Sequence, residues 1–118
     1  MWRLPLHKPY AKLIESPIAD INNSGKDRFA GAISDAGLSR LRACESGGNY
    51  SAVSRNGLYR GAYQFSRRTW SNVAKNVLPT FASVDPAAAP PHVQDAMARA
   101  LWAATGPRSW PVCGYRAR

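Results

Sequence analysis

The sequence is short of acids and of long apolar runs, and each shortage excludes something. Its 118 residues hold seven Asp and Glu against sixteen Lys and Arg, a formal charge of +9. No stretch approaches the roughly 18 consecutive apolar residues that a membrane-crossing helix requires, so no span is expected. A secretory leader is not visible at the start either, because Pro5, His7, Lys8, Pro9 and Lys12 interrupt every apolar run. Only two cysteines are present, Cys44 and Cys113, and no CxxC spacing occurs. His7 and His92 are the only histidines, and neither stands at ligand spacing, which argues against a zinc site. No metal or organic cofactor is implied. Repeats and low-complexity blocks are lacking too, and 45% hydrophobic with 19% charged residues is a globular composition. The length suits one domain with a flanking tail.

Acid is scarcest in the middle of the chain. Residues 40–75 carry Arg40, Arg42, Arg55, Arg60, Arg67, Arg68 and Lys75 against Glu45 alone, and residues 46–81 contain no Asp or Glu. A field of that sign concentrates polyanions. Nucleic acid, anionic lipid and acidic wall polymer all qualify, and a solvated, solubilising face is the plain alternative. No nucleic-acid-binding motif accompanies the charge, so no specific nucleic-acid partner is expected. The cysteines leave two states open. A bridge between them would contribute about 4 kcal/mol by the chain-entropy model and imply an oxidising compartment; the alternative is two buried thiols.

Punctuation along the chain gives the organisation. Residues 1–31 read as an N-terminal extension, broken by Pro5, Pro9 and Pro17 and by the loop chemistry of Asn22-Asn23-Ser24-Gly25, with a short helical turn expected over 12–21. From residue 32 the pattern turns helical. Ile33, Leu38, Leu41 and Cys44 recur at helical spacing, Ser34 or Asp35 is available as N-cap, and Ser46-Gly47-Gly48 ends the helix. Residues 50–65 predict a hairpin about Asn56-Gly57, flanked by Tyr50, Tyr59, Tyr63 and Phe65. A second helix follows Ser66, with Trp70, Val73, Ala74 and Val77 along one stripe, and stops before Pro79. A third starts at Pro90-Pro91, carries Val93, Met97, Ala100 and Leu101, and ends at Gly106-Pro107. The fold class expected for residues 32–118 is α+β: a small, mostly helical domain with a short β-hairpin beside the first helix.

Glu45 falls in the last turn of that first helix. The negative end of the helix dipole disfavours an ionised carboxylate there. Apolar surroundings would add to this and raise the pKa toward the useful range of a general acid. The plainer alternative is a solvated carboxylate paired with Arg42 at i−3.

The run Cys44-Glu45-Ser46-Gly47-Gly48-Asn49-Tyr50 resembles the start of the transglycosylase-like domain of resuscitation-promoting factors. The resemblance continues through Gly61, Gln64-Phe65-Ser66, Thr69-Trp70 and Gln94. It closes on Gly106 and Trp110-Pro111-Val112-Cys113, and so covers roughly residues 36–114. It implies a lysozyme-like fold, a disulfide between Cys44 and Cys113, and action on bacterial cell-wall glycan with Glu45 as catalytic acid. The substrate groove it implies lies over the hairpin and the next helix, at Tyr59, Gln64, Thr69 and Trp70, with Tyr63, Gln94 and Thr105 as further candidate contacts. Two departures stand out. The segment between Gly57 and Gln64 is one residue longer than in common members, which offsets the match at Tyr59. Thr105 replaces a glutamine that many relatives place before the glycine, which alters a sugar contact.

Cleaving a β-1,4 glycosidic bond needs a proton donor for the leaving oxygen. Most glycosidases add a second carboxylate, about 5–5.5 Å away for retention or about 6.5–9.5 Å for inversion. Asp35 lies ten residues before Glu45, roughly 15 Å along a helix. Asp85 falls in a loop, and Asp95 in a helix first turn, where an acid serves the dipole. This predicts a one-acid, substrate-assisted reaction: a lytic transglycosylase rather than a hydrolytic muramidase or a non-catalytic wall-binding module. Peptidoglycan glycan strands are the expected partner, with anionic wall polymers as secondary candidates and a monomer as the expected state. The place of action expected is the cell envelope or outside the cell. The alternative is a virus-encoded, bacteriolytic protein released at lysis or carried in the virion.

Overall fold

Each helix starts and stops on its own local chemistry. In the computed structural model, which describes residues 29–118, the Ser34 hydroxyl accepts the Gly37 amide at 3.0 Å and opens helix α1, Asp35–Ser46. Ser34 rather than Asp35 is thus the cap. Gly47 ends α1 in the left-handed region (φ 70°), a conformation that glycine adopts without a Cβ penalty. The amides of Gly47 and Gly48 turn back to the carbonyls of Ala43 and Arg42.

Ser66 caps α2, Arg67–Val77, through the Thr69 amide at 3.1 Å. Pro79 then diverts the chain into two short 3-10 turns, Pro79–Phe81 and Pro86–Ala88. Helix α3, Pro91–Thr105, begins on proline, whose missing N–H costs nothing in a first turn. A 3-10 turn, Gly106–Ser109, and the short helix α4, Gly114–Ala117, complete the order.

The three long helices meet over one core. Leu38 and Leu41 come from α1, Trp70, Val73 and Ala74 from α2, and Val93, Met97 and Ala100 from α3. Phe65 meets Trp70 edge-on at 5.2 Å and Trp110 at 6.4 Å, and Trp102 stacks on Trp110 at 5.8 Å. Such aromatic pairs contribute about 1 kcal/mol each beyond the area they bury. The Cys44–Cys113 disulfide, with Cα atoms 5.7 Å apart, ties α1 to the start of α4. Arg40 reinforces the joint by donating to the carbonyls of Arg116 and Ala117 at the end of α4.

The hairpin expected over residues 50–65 does not appear as strands among the described residues. Two isolated antiparallel bridges stand in its place, Val53 with Arg60 and Arg60 with Phe65. The cause is a double reversal. Gly57 (φ 77°) turns the chain once, and Gly61 (φ 86°) turns it again directly after Arg60. Arg60 therefore pairs on both sides, and no ladder has room to extend. The α+β expectation reduces to a mostly helical domain with one disulfide. No helix among the described residues is long and apolar enough to cross a membrane. The N-terminal extension lies outside the described residues except for 29–31, where Phe29 packs against the core.

Candidate active site

Glu45 is clamped on both sides by its neighbours in sequence. Cys44 is held by the disulfide. Ser46 donates to the Ala62 carbonyl at 2.8 Å and accepts the Asn49 amide at 3.0 Å, pinning the end of α1 to the turn before Phe65. The Glu45 carboxyl between them is half-buried, and burial raises its pKa above the ordinary carboxylate value.

The other described carboxylates all have cationic partners. Asp35 pairs with Arg99 at 2.9 Å. Asp85 takes a two-pronged contact from Arg60 at 2.7 and 2.9 Å, lies 3.6 Å from Arg67, and accepts the Ala87 amide. The hydrogen bond from Arg60 is the largest influence holding its pKa below the usual range. Asp95 accepts hydrogen bonds from the hydroxyls of Tyr50 at 2.7 Å and Tyr63 at 2.6 Å, with Arg42 at 3.9 Å. Glu45 has no ion pair or hydrogen bond of its side chain to any described residue. Arg42, the i−3 partner in the plainer alternative, instead donates to Tyr63 at 3.1 Å and lies over the Tyr50 ring at 5.9 Å.

A depression opens over the start of α2. Tyr59, Gln64 and Thr69 line it, together with Ser66 and Ser109, and Phe65, Leu101 and Trp110 supply its apolar surface. Glu45 stands outside this lining. Gln64 has φ 54°, the one positive value at a non-glycine among the described residues. Backbone strain of this kind costs about 1–3 kcal/mol and collects at functional sites. No group of His, Cys, Asp and Glu that could hold a metal ion occurs among the described residues.

Three residues placed in the groove by sequence are turned into the fold instead. Trp70 is buried, and its ring N–H donates to the Phe81 carbonyl at 2.8 Å. Tyr63 is buried with its hydroxyl in the Asp95 network; burial and the bond to Asp95 push its pKa up. Gln94, 1% exposed, accepts from the Ala62 amide at 2.8 Å and donates to the carbonyls of Tyr50 and Ala89. Both of its N–H donors are thereby used, and at 1% exposure its oxygen does not face solvent, so it is poorly placed to bind a sugar. Thr105 is not part of the lining; it bonds the Leu101 carbonyl at 2.9 Å and the Ser109 hydroxyl at 2.7 Å, both of residues that are. Sequence reasoning missed Ser109, which nothing but the tertiary fold brings there. It also missed the Arg42, Tyr50, Tyr63 and Asp95 network, whose members are scattered along the chain.

Residues 32–113 match the family described as a transglycosylase-like domain. Resuscitation-promoting factor RpfC of Mycobacterium tuberculosis (strain Erdman) is 36% identical over 107 residues, covering 86% of this chain and 70% of that protein. RpfD of Mycobacterium tuberculosis (strain H37Rv) is 36% identical over 90 residues, covering 75% of this chain and 53% of its own. The probable transglycosylase SceD of Staphylococcus aureus (strain Newman) is 40% identical over 76 residues, covering 64% and 32%. The chain thus spans about half the length of the RpfD relative and 32% of SceD. No solved structure gives a significant match. With most of its length inside that match, including Glu45 and both cysteines, the chain belongs to the transglycosylase-like domain family of the resuscitation-promoting-factor type.

Proposed function

We propose that this protein cleaves the glycan strands of bacterial peptidoglycan as a lytic transglycosylase, with Glu45 as its single general acid and base. The observation that carries the reading is the isolation of Glu45. It is the one described carboxylate left without a cation, and its burial favours the protonated form. A protonated carboxyl is what the leaving oxygen of a β-1,4 bond requires, since an alkoxide leaves poorly. Asp35, Asp85 and Asp95 are each neutralised by an arginine and are poor candidates for a second catalytic carboxylate.

The reaction then runs on one acid. Glu45 gives its proton to the bridging oxygen between N-acetylmuramic acid and N-acetylglucosamine as the C1–O bond breaks. The substrate's own N-acetyl oxygen bonds to C1 and holds the positive charge. Glu45, now ionised, takes the proton of the muramic 6-hydroxyl, whose oxygen displaces the acetyl oxygen at C1. The 1,6-anhydro end forms, and Glu45 regains its proton. Tyr59, Gln64, Thr69, Ser66 and Ser109 supply uncharged contacts suited to sugar hydroxyls. Exposed Arg55, Arg68 and Lys75 favour anionic wall polymers nearby. In this reading residues 32–118 form the catalytic domain, acting in the envelope or outside the cell as a monomer.

Product masses test the reaction type. Digested peptidoglycan should yield muropeptides one water lighter than their reducing-end counterparts. Reducing ends alone would make the protein a hydrolytic muramidase, and binding without products would make it a wall-binding module.

A further inference from the structure

We propose that Asp95 is a positioning residue for Glu45: by holding Arg42, it keeps a guanidinium off the carboxylate one helical turn away. The proposal rests on the reading of Glu45 as the general acid. Arg42 and Glu45 stand at i and i+3 on α1, the spacing at which a cation and an acid meet on a helix surface. Left to local chemistry they would pair. The fold supplies a competitor built from three other segments. Tyr50 follows α1, Tyr63 lies in the turn before Phe65, and Asp95 comes from the second turn of α3 rather than the first turn expected from sequence.

Hydrogen-bond directions make this competitor selective for a cation. The Tyr63 hydroxyl spends its one proton on Asp95 at 2.6 Å, which leaves only its lone pairs facing Arg42. The Tyr50 hydroxyl likewise donates to Asp95 at 2.7 Å, and its ring face lies under the guanidinium at 5.9 Å. Every group presented to Arg42 is an acceptor, a carboxylate or a π-face. The pair is partly shielded, with 27% of the Arg42 and 24% of the Asp95 side chain exposed, so solvent screens it only in part.

The charge balance follows. The Arg42–Asp95 ion pair, at 3.9 Å, offsets the guanidinium charge one helical turn before Glu45. With asparagine in place of Asp95, Arg42 stands as an uncompensated cation on the same helix face and favours the ionised Glu45 carboxylate. Around this end of α1 the charged and titratable groups are Arg42 on the helix itself, Tyr50 and Tyr63 from the following loop, and Asp95 from α3. Arg116 of α4 also reaches this end of the helix, its guanidinium 3.9 Å from the Cys44 sulfur. Arg42 is the cation of this set on the helix face that Glu45 shares, so Asp95 acts on Glu45 through it.

The test is a carboxyl-carbon NMR titration of Glu45 in the full chain without substrate, in wild type, Asp95→Asn, Tyr63→Phe and the Arg42→Gln/Asp95→Asn double variant. Asp95→Asn is expected to lower the Glu45 midpoint by about one pH unit, and the double variant to restore the wild-type value. Tyr63→Phe, which removes the direct acceptor but keeps the negative charge, should lower it by less, and it decides the matter if Asp95→Asn does not fold. The basic limb of the cleavage pH profile should move down with the midpoint. An unchanged midpoint in the folded single variants, or a fall that persists without Arg42, overturns the proposal. Because the midpoint is read without substrate, a wild type that cleaves no peptidoglycan would sink the general-acid reading and leave this pairing standing.

Discussion

Gly61 is kept bare by Gln94: a Cβ at position 61 would lie 2.6 Å from the Gln94 side-chain oxygen and 3.2 Å from the Pro86 carbonyl. That oxygen accepts the Ala62 amide while the same carboxamide donates to Tyr50 and Ala89. One side chain from α3 thus organises the double reversal in front of α2. Two costs follow. Gly61→Ala combines a clash with a positive φ and should destabilise the domain by about 2 kcal/mol or more. Gln94→Ala strands three backbone groups and should cost about 3 kcal/mol. Urea unfolding curves check both. A Gln94→Ala protein of wild-type stability but poor substrate affinity would instead return that residue to the groove.

Gln64 should show a trade between stability and activity. Its φ of 54° is strained for a side chain and natural for glycine. Gln64→Gly is therefore expected to melt no lower than wild type, with strain relief of about 1 kcal/mol set against the added chain entropy of glycine. Because Gln64 lines the depression, the same change should raise KM on solubilised glycan. Calorimetry and steady-state kinetics on one preparation separate the two effects.

The disulfide should matter to both stability and the site. Joining residues 69 positions apart, it contributes about 4 kcal/mol in the chain-entropy account. Thiol reductant, or Cys44→Ala with Cys113→Ala, should lower the unfolding free energy by that order. Activity should fall as well, since Cys44 adjoins Glu45. Denaturation with and without reductant gives the first number.

Stability should also carry the signature of a buried acid. Burial raises the Glu45 pKa in the folded state, so the folded protein binds that proton more tightly than the unfolded chain. Its ionisation then opposes folding as pH rises through the unfolded carboxylate value of about 4.3. Glu45→Gln should melt higher than wild type at neutral pH, and the difference should vanish in acid. Asp85 works in the opposite sense. Its lowered pKa supplies stability above the ordinary carboxylate range that is lost as pH falls through the folded value, and comparing these two proteins cancels it. Melting curves across the acid range show whether the gain appears.

Local chemistry was legible in the sequence. Ser34 and Ser66 as caps, Gly47 as a helix end and Pro91 as a helix start depend on neighbours within four residues, and each falls where the pattern predicts. The pairing of Cys44 with Cys113 came from the family resemblance and not from spacing. The hairpin is reduced to two isolated bridges because a turn signal at Asn56-Gly57 says nothing about a second reversal at Gly61 four residues later. The burial of Trp70, Tyr63 and Gln94 was hidden for another reason. Sequence proximity to groove residues does not reveal which way a side chain points, and all three point into the core. The alternative pairing of Arg42 with Glu45 rests on local spacing alone, whereas the actual partners of Arg42 arrive from a later loop and from α3.

The central claim is that one isolated carboxyl performs the proton transfers. The most direct measurement compares wild type with Glu45→Gln on purified peptidoglycan, scoring anhydro-muropeptides by mass and folding by melting temperature. The substitution keeps shape and hydrogen bonding but carries no transferable proton. The variant is expected to fold at least as stably as wild type and to lose activity by about two to four orders of magnitude. A folded variant that still releases anhydro products at the wild-type rate would contradict the central claim.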